Sequence, residues 1–264
     1  MKRTATAVLI ILIGLAAGAC AGKKTEVTPA IPAASTDEAL FNEGQKVVKK
    51  DPEKARLYYR QVIDSFPKSF YAQRAKLAIA DSYFNEGDEG NLILASSEYR
   101  TFIQENPLSP STPYAQYRIA LCFYEKILAP GRDQQKTVQA LAEFRKTIAA
   151  YPLSEEAKLA REKIKDCEEH LAESTFLIGL QYYRTEAYNA AINRMKEVLT
   201  NYPAYTGLDK IYFYMGDSNF LMKLVDQSTP FFTKLITDYP KSKFAVKAQA
   251  RLKEIEAIKP KPKK

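Results

Sequence analysis

One spacing pattern recurs five times in this chain and constrains its fold more than any other feature. A small residue is followed four positions on by an aromatic or large apolar residue, and eight positions further on by a proline. The five copies are Ala55, Tyr59 and Pro67; Ala95, Tyr99 and Pro107; Ala140, Phe144 and Pro152; Ala191, Met195 and Pro203; and Ser228, Phe232 and Pro240. The spacing within a copy is constant, while successive copies start 37 to 51 residues apart. One repeated unit with insertions between copies predicts a helical solenoid.

Each copy has the features of a helix that ends at its proline. Residues four apart lie on one helix face, and proline removes an amide donor and disfavours helix in the residue before it. A second pattern lies upstream, in which a glycine or alanine follows an apolar residue; the central small residues are Ala80, Ala120, Gly179 and Gly216, and the first copy is degenerate, with Gly44. A small residue in helix A and a triplet in helix B resemble the tetratricopeptide repeat. We therefore predict an all-α, right-handed solenoid of five helix-turn-helix repeats followed by a C-terminal helix.

Departures from a regular array occur at three places. Extra residues lie around 86–91 in the second copy, and a longer insert lies at 129–136 in the third. The segment from Ser154 to about Arg184 has neither a proline nor a turn cluster, which predicts one long or barely broken helix between repeats three and four. A serine two residues after a proline is expected to cap the following helix.

The N-terminus predicts export. Lys2 and Arg3 precede an apolar run that is shorter than the ~20 residues of a membrane span, as in a secretory signal peptide. Ala17 to Cys20 resembles a bacterial lipobox, so we expect lipidation of Cys20, with ordinary cleavage and a free thiol as the alternative. Ala21 and Gly22 follow in place of an aspartate, which resembles the default for delivery to the outer membrane.

The predicted organisation has five parts. They are a signal peptide (1–19), a lipidated flexible tether (20–36), N-terminal repeats one to three (37–153), C-terminal repeats four and five with the long connecting helix and a capping helix (154–258), and a disordered basic tail (259–264).

The net charge of +8 does not predict nucleic-acid binding. Removing the signal peptide's two positive charges and the tail's four lysines leaves a body near +2. Cys122 and Cys167 are expected to be buried free thiols rather than a disulfide. The tail is expected to be solvated, with contact to acidic lipid headgroups or peptidoglycan as the alternative.

Nothing in the sequence predicts an enzyme, a metal or a cofactor. His170 is the only histidine, no Cys/His cluster has metal spacing, and no glycine-rich loop follows a strand. Adjacent acidic pairs point different ways around a helix and are typical of solvated faces.

Several aromatic residues lie off the repeat stripes. They are Phe84, Tyr114, Tyr117, Tyr183, Tyr188, Tyr205 and Tyr214. Two interpretations stay open: they fill gaps between repeats, or they line an inner face that holds an extended peptide.

The chain resembles the BamD family of outer-membrane assembly lipoproteins, also called ComL-like, from about residue 37 to 255. Three stretches carry the resemblance: Ala39 to Gly44 with the following Tyr59 and Pro67, Gly131 to Gln135, and Gln181 to Arg194. The second is similar to the family's Arg-Asp-x-Gln-Gln insertion, with Gln134 in place of its usual proline.

The resemblance implies a role in folding β-barrel proteins into the outer membrane. Family members dock through C-terminal repeats on a periplasmic POTRA domain of the barrel protein BamA, and their N-terminal repeats contact targeting segments of unfolded outer-membrane proteins. It places Arg194 and Asn193 at the BamA interface, and we assign Arg132 and Asp133 to partner binding as well. Phe84 and Gln45 are assigned to substrate contact. Other assembly lipoproteins and the membrane, through the N-terminal lipid, complete the expected partners; nucleic acid is not among them.

Two other functions remain open at this stage. A solenoid lipoprotein that serves as a scaffold for pilus assembly or for peptidoglycan and envelope coordination would have the same fold and a different partner. A non-catalytic remnant of a cell-wall hydrolase is the second.

Overall fold

The computed structural model describes residues 36–258, which lie in one compact unit. The predicted signal peptide, Cys20, nearly all of the tether and the basic tail lie outside the described residues. The helices are α1 (Asp37–Val47), α2 (Pro52–Ser65), α3 (Phe70–Glu86), α4 (Glu89–Glu105), α5 (Thr112–Tyr124), α6 (Gln135–Ala150), α7 (Glu155–Arg184), α8 (Tyr188–Asn201), α9 (Leu208–Leu221), α10 (Val225–Asp238) and α11 (Lys243–Ile258).

These helices confirm the predicted repeat organisation. Within residues 36–258 the chain forms helices and turns without any strand. Odd-numbered helices from α1 to α9 are helix A of a repeat, even-numbered ones are helix B, and α11 follows the fifth pair. No helix in this described range is long and apolar enough to cross a membrane.

The triplet residues form the buried face of each helix B. The small residue, the large residue and the residue three positions after it are all 0 or 1% exposed in every repeat. Each helix B ends two residues before its proline, as α2 ends at Ser65 before Pro67. The triplet residues therefore have a structural role: they form the apolar stripe by which helix B packs against helix A.

Glycines in helix A let the two helices of a repeat approach closely. A Cβ at Gly44 would lie 2.5 Å from Cε1 of Tyr59, and one at Gly216 would lie 2.7 Å from Cε1 of Phe232. Such distances are too short for a side chain, so the aromatic ring of helix B occupies the space left by the glycine.

Serine capping occurs at three of the four predicted places. Ser69, Ser154 and Ser242 accept hydrogen bonds from the backbone amides of Ala72, Ala157 and Phe244, at 3.2, 3.1 and 3.0 Å. The expectation was wrong for Ser109. A proline is favoured in the first turn of a helix, and Pro113 has this place in α5, so the helix begins at Thr112.

The two insertions are accommodated differently. Helix α4 begins six residues before Ala95, whereas α8 begins three residues before Ala191, so the extra residues of repeat two lengthen helix B. The longer insert of repeat three forms most of the loop between α5 and α6.

Helix α7 is unbroken over 30 residues, as predicted. Its Cys167 and Leu171 pack in a core with side chains of α5 and α6. Its Ala172 and Phe176 pack in the next core, with side chains of α8 and α9. One helix therefore belongs to two consecutive cores.

Both cysteines of the described range are free and buried. Cys122 lies in α5 and Cys167 in α7. Burial raises the pKa of each thiol to about 12, so neither is a reactive thiolate at neutral pH.

Candidate partner-binding surfaces

Arg194 lies on α8 with its stem fixed and its guanidinium at the surface. A Cβ at Gly179 of α7 would lie 3.2 Å from Cβ of Arg194, so the two helices touch here. The side chain is 42% exposed, and Nη1 donates to Oε2 of Glu197 at 2.9 Å. Asn193 beside it is exposed. A guanidinium held in place but open to solvent can bind a partner's carboxylate.

Arg132 and Asp133 are exposed on the loop between α5 and α6. Gln134 holds this loop from within: its amide nitrogen donates to the carbonyl oxygens of Ala129 and Arg132 at 3.0 and 3.1 Å. Its amide oxygen accepts from the hydroxyl of Thr137 at 2.7 Å. These hydrogen bonds order the loop at the position where the resemblance expects a proline.

The loop and Arg194 approach α7 from different sides. A Cβ at Gly131 would lie 3.8 Å from Cδ1 of Leu177, while Arg194 packs against Gly179. Residues two apart on a helix are separated by about 200° around the helix axis, so their side chains lie on nearly opposite sides. The four residues predicted to bind a partner therefore form two patches.

Gln45 and Phe84 take part in separate clusters. Gln45 is exposed on α1, and its amide donates to the Tyr59 hydroxyl at 2.8 Å. Phe84 is half-buried on α3, with the guanidinium carbon of Arg118 3.7 Å from its ring centroid. One face of Phe84 is thus covered by the protein itself.

Arg118 belongs to a hydrogen-bonded cluster around Asp81. Oδ1 of Asp81 accepts from the Tyr114 hydroxyl at 2.7 Å and from the Tyr99 hydroxyl, and Nη2 of Arg118 lies 3.3 Å away. Nε of Arg118 donates to the Tyr99 oxygen at 2.9 Å. Burial, followed by the charge of Asp81, raises the pKa of both tyrosines. They therefore remain protonated donors, and the cluster is a fixed part of the structure.

A related arrangement of aspartate, phenylalanine and arginine occurs near the C-terminus, with Phe232 at the repeat position of Tyr99 and Lys247 at that of Tyr114. Nε of Arg251 lies 2.6 Å from Oδ1 of Asp217, and the guanidinium carbon lies 4.7 Å from the Phe220 ring centroid. Asp217 is only 2% exposed and also accepts from the Tyr183 hydroxyl at 2.5 Å.

Repeat spacing relates these two clusters. Asp81 and Asp217 each lie fourteen residues after a helix-B proline, and the phenylalanine follows three residues later. Arg118 and Arg251 each lie eleven residues after the next proline. We did not identify either arginine from the sequence, although counting from the prolines would have found both.

The seven off-stripe aromatics all contact neighbouring side chains. The contacts of Phe84 and Tyr114 are given above. The ring centroids of Tyr117 and Phe144 lie 5.6 Å apart, and those of Tyr183 and Tyr214 lie 4.9 Å apart. Tyr183 also packs edge-on against Tyr188, and the Tyr205 hydroxyl donates to Glu173. These contacts support the gap-filling interpretation, since each ring completes packing between helices.

The described part of the chain contains no candidate metal site. Within residues 36–258, no group of three or more histidine, cysteine, aspartate or glutamate side chains could hold a metal ion.

Comparison with known proteins establishes the family. The YfiO family, described as outer membrane lipoprotein, matches residues 33–229, which is most of the chain. The chain belongs to this family. The match confirms the resemblance inferred from the opening repeat, the α5–α6 insert and the repeat-four stretch.

Two similar relatives carry the same name. A protein of Rickettsia prowazekii is 30% identical over 254 residues, covering 92% of this chain and 95% of the relative. A protein of Caulobacter vibrioides is 27% identical over 227 residues, covering 86% of this chain and 73% of the relative. Both are named outer membrane protein assembly factor BamD.

Among solved structures, the TPR2AB domain–pHSP90 complex of yeast Sti1 is similar at 14% identity, with a TM-score of 0.43. It covers 84% of this chain and 86% of the domain.

Proposed function

We propose that this chain is a lipid-anchored scaffold subunit of the machinery that assembles β-barrel proteins into the outer membrane. The proposal rests on two findings. The chain belongs to an outer membrane lipoprotein family, and it matches a Rickettsia prowazekii protein named outer membrane protein assembly factor BamD over 95% of that protein's length. The subunit works by binding, without turnover. The anchor is the lipid on Cys20, which places the solenoid on the periplasmic face of the outer membrane.

The C-terminal repeats dock on a periplasmic POTRA domain of the BamA-like barrel protein. Arg194 is suited to this contact because its stem is packed while its guanidinium stays exposed beside Asn193. Arg132 and Asp133 offer a second, separate patch on the ordered α5–α6 loop, available to the same partner or to another assembly lipoprotein.

The N-terminal repeats contact targeting segments of unfolded outer-membrane proteins. Because Arg118 covers one face of Phe84, an extended segment meets the exposed remainder of this stacked pair rather than an open ring. Gln45, exposed at the end of α1, supplies an amide that is already oriented by Tyr59.

A charge reversal on α8 tests the docking proposal. We expect Arg194→Glu to weaken the complex with the barrel protein at least tenfold (about 1.4 kcal/mol), because it repels a carboxylate that the guanidinium would bind. The measurement is co-purification from detergent-solubilised membranes, with circular dichroism to verify the fold.

Lys196→Glu is the matched control. Lys196 is exposed on the same helix two residues on, so its side chain points elsewhere. Retention of the barrel protein at the wild-type level by Arg194→Glu would contradict the docking assignment. Recovery of pilus or cell-wall proteins by the wild type, in place of barrel-assembly subunits, would contradict the proposed machinery.

A further inference from the structure

Two leucines in the turns between repeats are almost fully exposed. Leu108 follows a helix-B proline and is 97% exposed, and Leu153 follows the next one and is 95% exposed. Phe70, three residues after the first helix-B proline, is 70% exposed. Single exposed apolar residues are common on protein surfaces. These three, however, belong to consecutive turns of one kind, each of which joins a helix B to the helix that follows it.

The turns themselves do not require leucine. In all five copies, the residue before the proline has a φ angle between −135° and −130° and a ψ angle between 54° and 60°. The residue after the proline is exposed in every copy, and in chain order it is Lys68, Leu108, Leu153, Ala204 and Lys241. A lysine or an alanine is thus compatible with the same turn, so neither packing nor turn geometry accounts for the two leucines.

The first three turns lie at the edge where the chain enters the solenoid. Consecutive helices of a repeat are antiparallel, so each helix A begins at the edge where each helix B ends. At this edge the Phe41 ring of α1 lies 5.5 Å from that of Tyr71, the residue after Phe70. Sixteen residues separate Cys20 from Thr36, the N-cap of α1, and a chain of that length spans at most roughly 55 Å. The lipid proposed on Cys20 is therefore joined to the edge that carries the exposed apolar residues.

The last two turns lie at a different level of the described molecule. Helix α7 begins two residues after Leu153, and the α8–α9 turn meets α7 fourteen residues after its start, where the Thr206 amide donates to Oε2 of Glu169 at 3.1 Å. At 1.5 Å per residue, these two turns are about 21 Å apart along α7. The fifth turn is level with the start of α9, since the Ser242 hydroxyl donates to Oδ2 of Asp209 at 2.5 Å. Leucine therefore follows the proline only in turns at the edge where α1 begins.

We propose that the edge formed by the first three turns rests on a phospholipid bilayer, with Phe70, Leu108 and Leu153 inserted at its surface. The inference deepens the proposed function and rests on its lipid anchor, to which it adds a second contact made by the protein itself. The anchor holds the turns at a high effective concentration beside the bilayer, so a shallow contact of a few apolar side chains is sufficient. In this orientation the offset along α7 keeps the last two turns away from the lipid.

The charges at this edge indicate which bilayer it fits. The first turn of α1 contains Asp37 and Glu38, and the first turn of α7, next to Leu153, contains Glu155 and Glu156. An anionic lipid surface attracts basic segments and repels acidic ones. The edge therefore suits a zwitterionic surface, where apolar insertion rather than charge provides the contact.

Tryptophan fluorescence in vesicles tests the contact. The chain contains no tryptophan, so one introduced at a turn reports on that turn alone. Leu108→Trp and Leu153→Trp probe the proposed contact. Lys241→Trp, at the same repeat position in the fifth turn, is the matched control, and Leu224→Trp probes a turn at the opposite edge. Each full-length lipidated variant is added to phosphatidylcholine vesicles with brominated or unbrominated acyl chains, because bromine quenches tryptophan only on contact.

We expect brominated lipid to lower the emission of Leu108→Trp and Leu153→Trp by at least half and to leave that of Lys241→Trp and Leu224→Trp unchanged. Flotation of the same vesicles in a density gradient tests the anchor separately: the wild type should float, and Cys20→Ser should not. Flotation with equal quenching in all four variants, or with no quenching of Leu108→Trp and Leu153→Trp, would overturn the inference and leave the anchor standing. A wild type that does not float would refute the anchor, and the inference with it.

Discussion

Among the described residues, two that are not glycine have left-handed backbone conformations in turns between the helices of a repeat. Glu186 and Lys223 have φ angles of 61° and 64°, and Gly87 has 75° at the same repeat position, seven residues after the small residue of helix A. A residue with a Cβ is strained in this conformation by roughly 1–2 kcal/mol, whereas glycine is not. The turn geometry is therefore common to repeats two, four and five, but only repeat two has the residue best suited to it.

Lys223→Gly is expected to stabilise the protein. Lys223 is exposed, and the relief of strain exceeds the extra chain entropy of glycine by up to about 1 kcal/mol. For a domain of this size the midpoint of thermal unfolding should rise by roughly 2–4 °C. The reciprocal control is Gly87→Lys, which should lower the midpoint because a Cβ there has space but the wrong φ. A lower midpoint for Lys223→Gly would show that the turn does not store this strain.

At the scale of elements, one buried carboxylate joins three helices. Glu143 of α6 is 7% exposed and accepts hydrogen bonds from Arg100 of α4, Gln116 of α5 and Lys146, each at 2.9 Å. Burial raises its pKa, but the hydrogen bonds from Arg100, Lys146 and Gln116 outweigh burial and hold the pKa below its ordinary value. The charged form of Glu143 therefore stabilises the packing of repeats two and three.

Glu143→Gln should destabilise the protein by about 1–3 kcal/mol at neutral pH, because two cations lose their anion. A carboxyl whose pKa is lowered by folding contributes fully above its ordinary pKa, about 4.3, and loses this contribution as the pH falls through the lowered pKa. The difference between variant and wild type in urea unfolding should therefore be constant from pH 7 to about pH 5 and shrink below pH 4. Glu256→Gln, on the exposed side of α11, is the control. A difference that does not change with pH would exclude the charge of Glu143 as the cause.

At the scale of the whole described molecule, α7 is the main link between the repeats. Solenoids are stabilised by contacts between neighbouring repeats, so their cooperativity depends on each junction. Here the junction between repeats three and four is a single helix that is buried at one end against α5 and α6 and at the other against α8 and α9.

We expect the two buried thiols to become reactive at the same denaturant concentration. Cys122 reports on repeats two and three, and Cys167 reports on the first half of α7. Pulsed alkylation of a Cys20→Ser variant, followed by mass spectrometry of the two peptides, measures both transitions in one sample. Both thiols should be protected in the absence of denaturant. Labelling of Cys167 at a clearly lower concentration than Cys122 would mean that the first half of α7 unfolds separately from repeats two and three.

Much of the architecture was predictable from spacing alone. Ala95 and Tyr99 share a helix face, and Pro107 ends that helix, whatever the rest of the chain does. The long α7 followed from the absence of breakers after Ser154. These features depend on local rules of helix periodicity and proline chemistry, which act within about ten residues.

The candidate sites were predictable only in part. Arg194 and the α5–α6 insert were identified by resemblance. Their approach to α7 from different sides follows from helix packing, which the resemblance does not describe. Phe84 was expected to be available to a peptide, whereas Arg118 of the next repeat covers one of its faces. That contact joins residues 34 positions apart in the sequence, so no local pattern reveals it.

The helices, their pairing into repeats and the residues that face the cores follow from the order of residues alone, because periodicity and breakers act along the chain. Which polar side chains find partners is known only from the folded structure, because those partners lie in adjacent repeats. Tyr114 and Lys247 both lie seven residues after a helix-B proline. Packing gives Tyr114 an aspartate and leaves Lys247 without an anion in the described range.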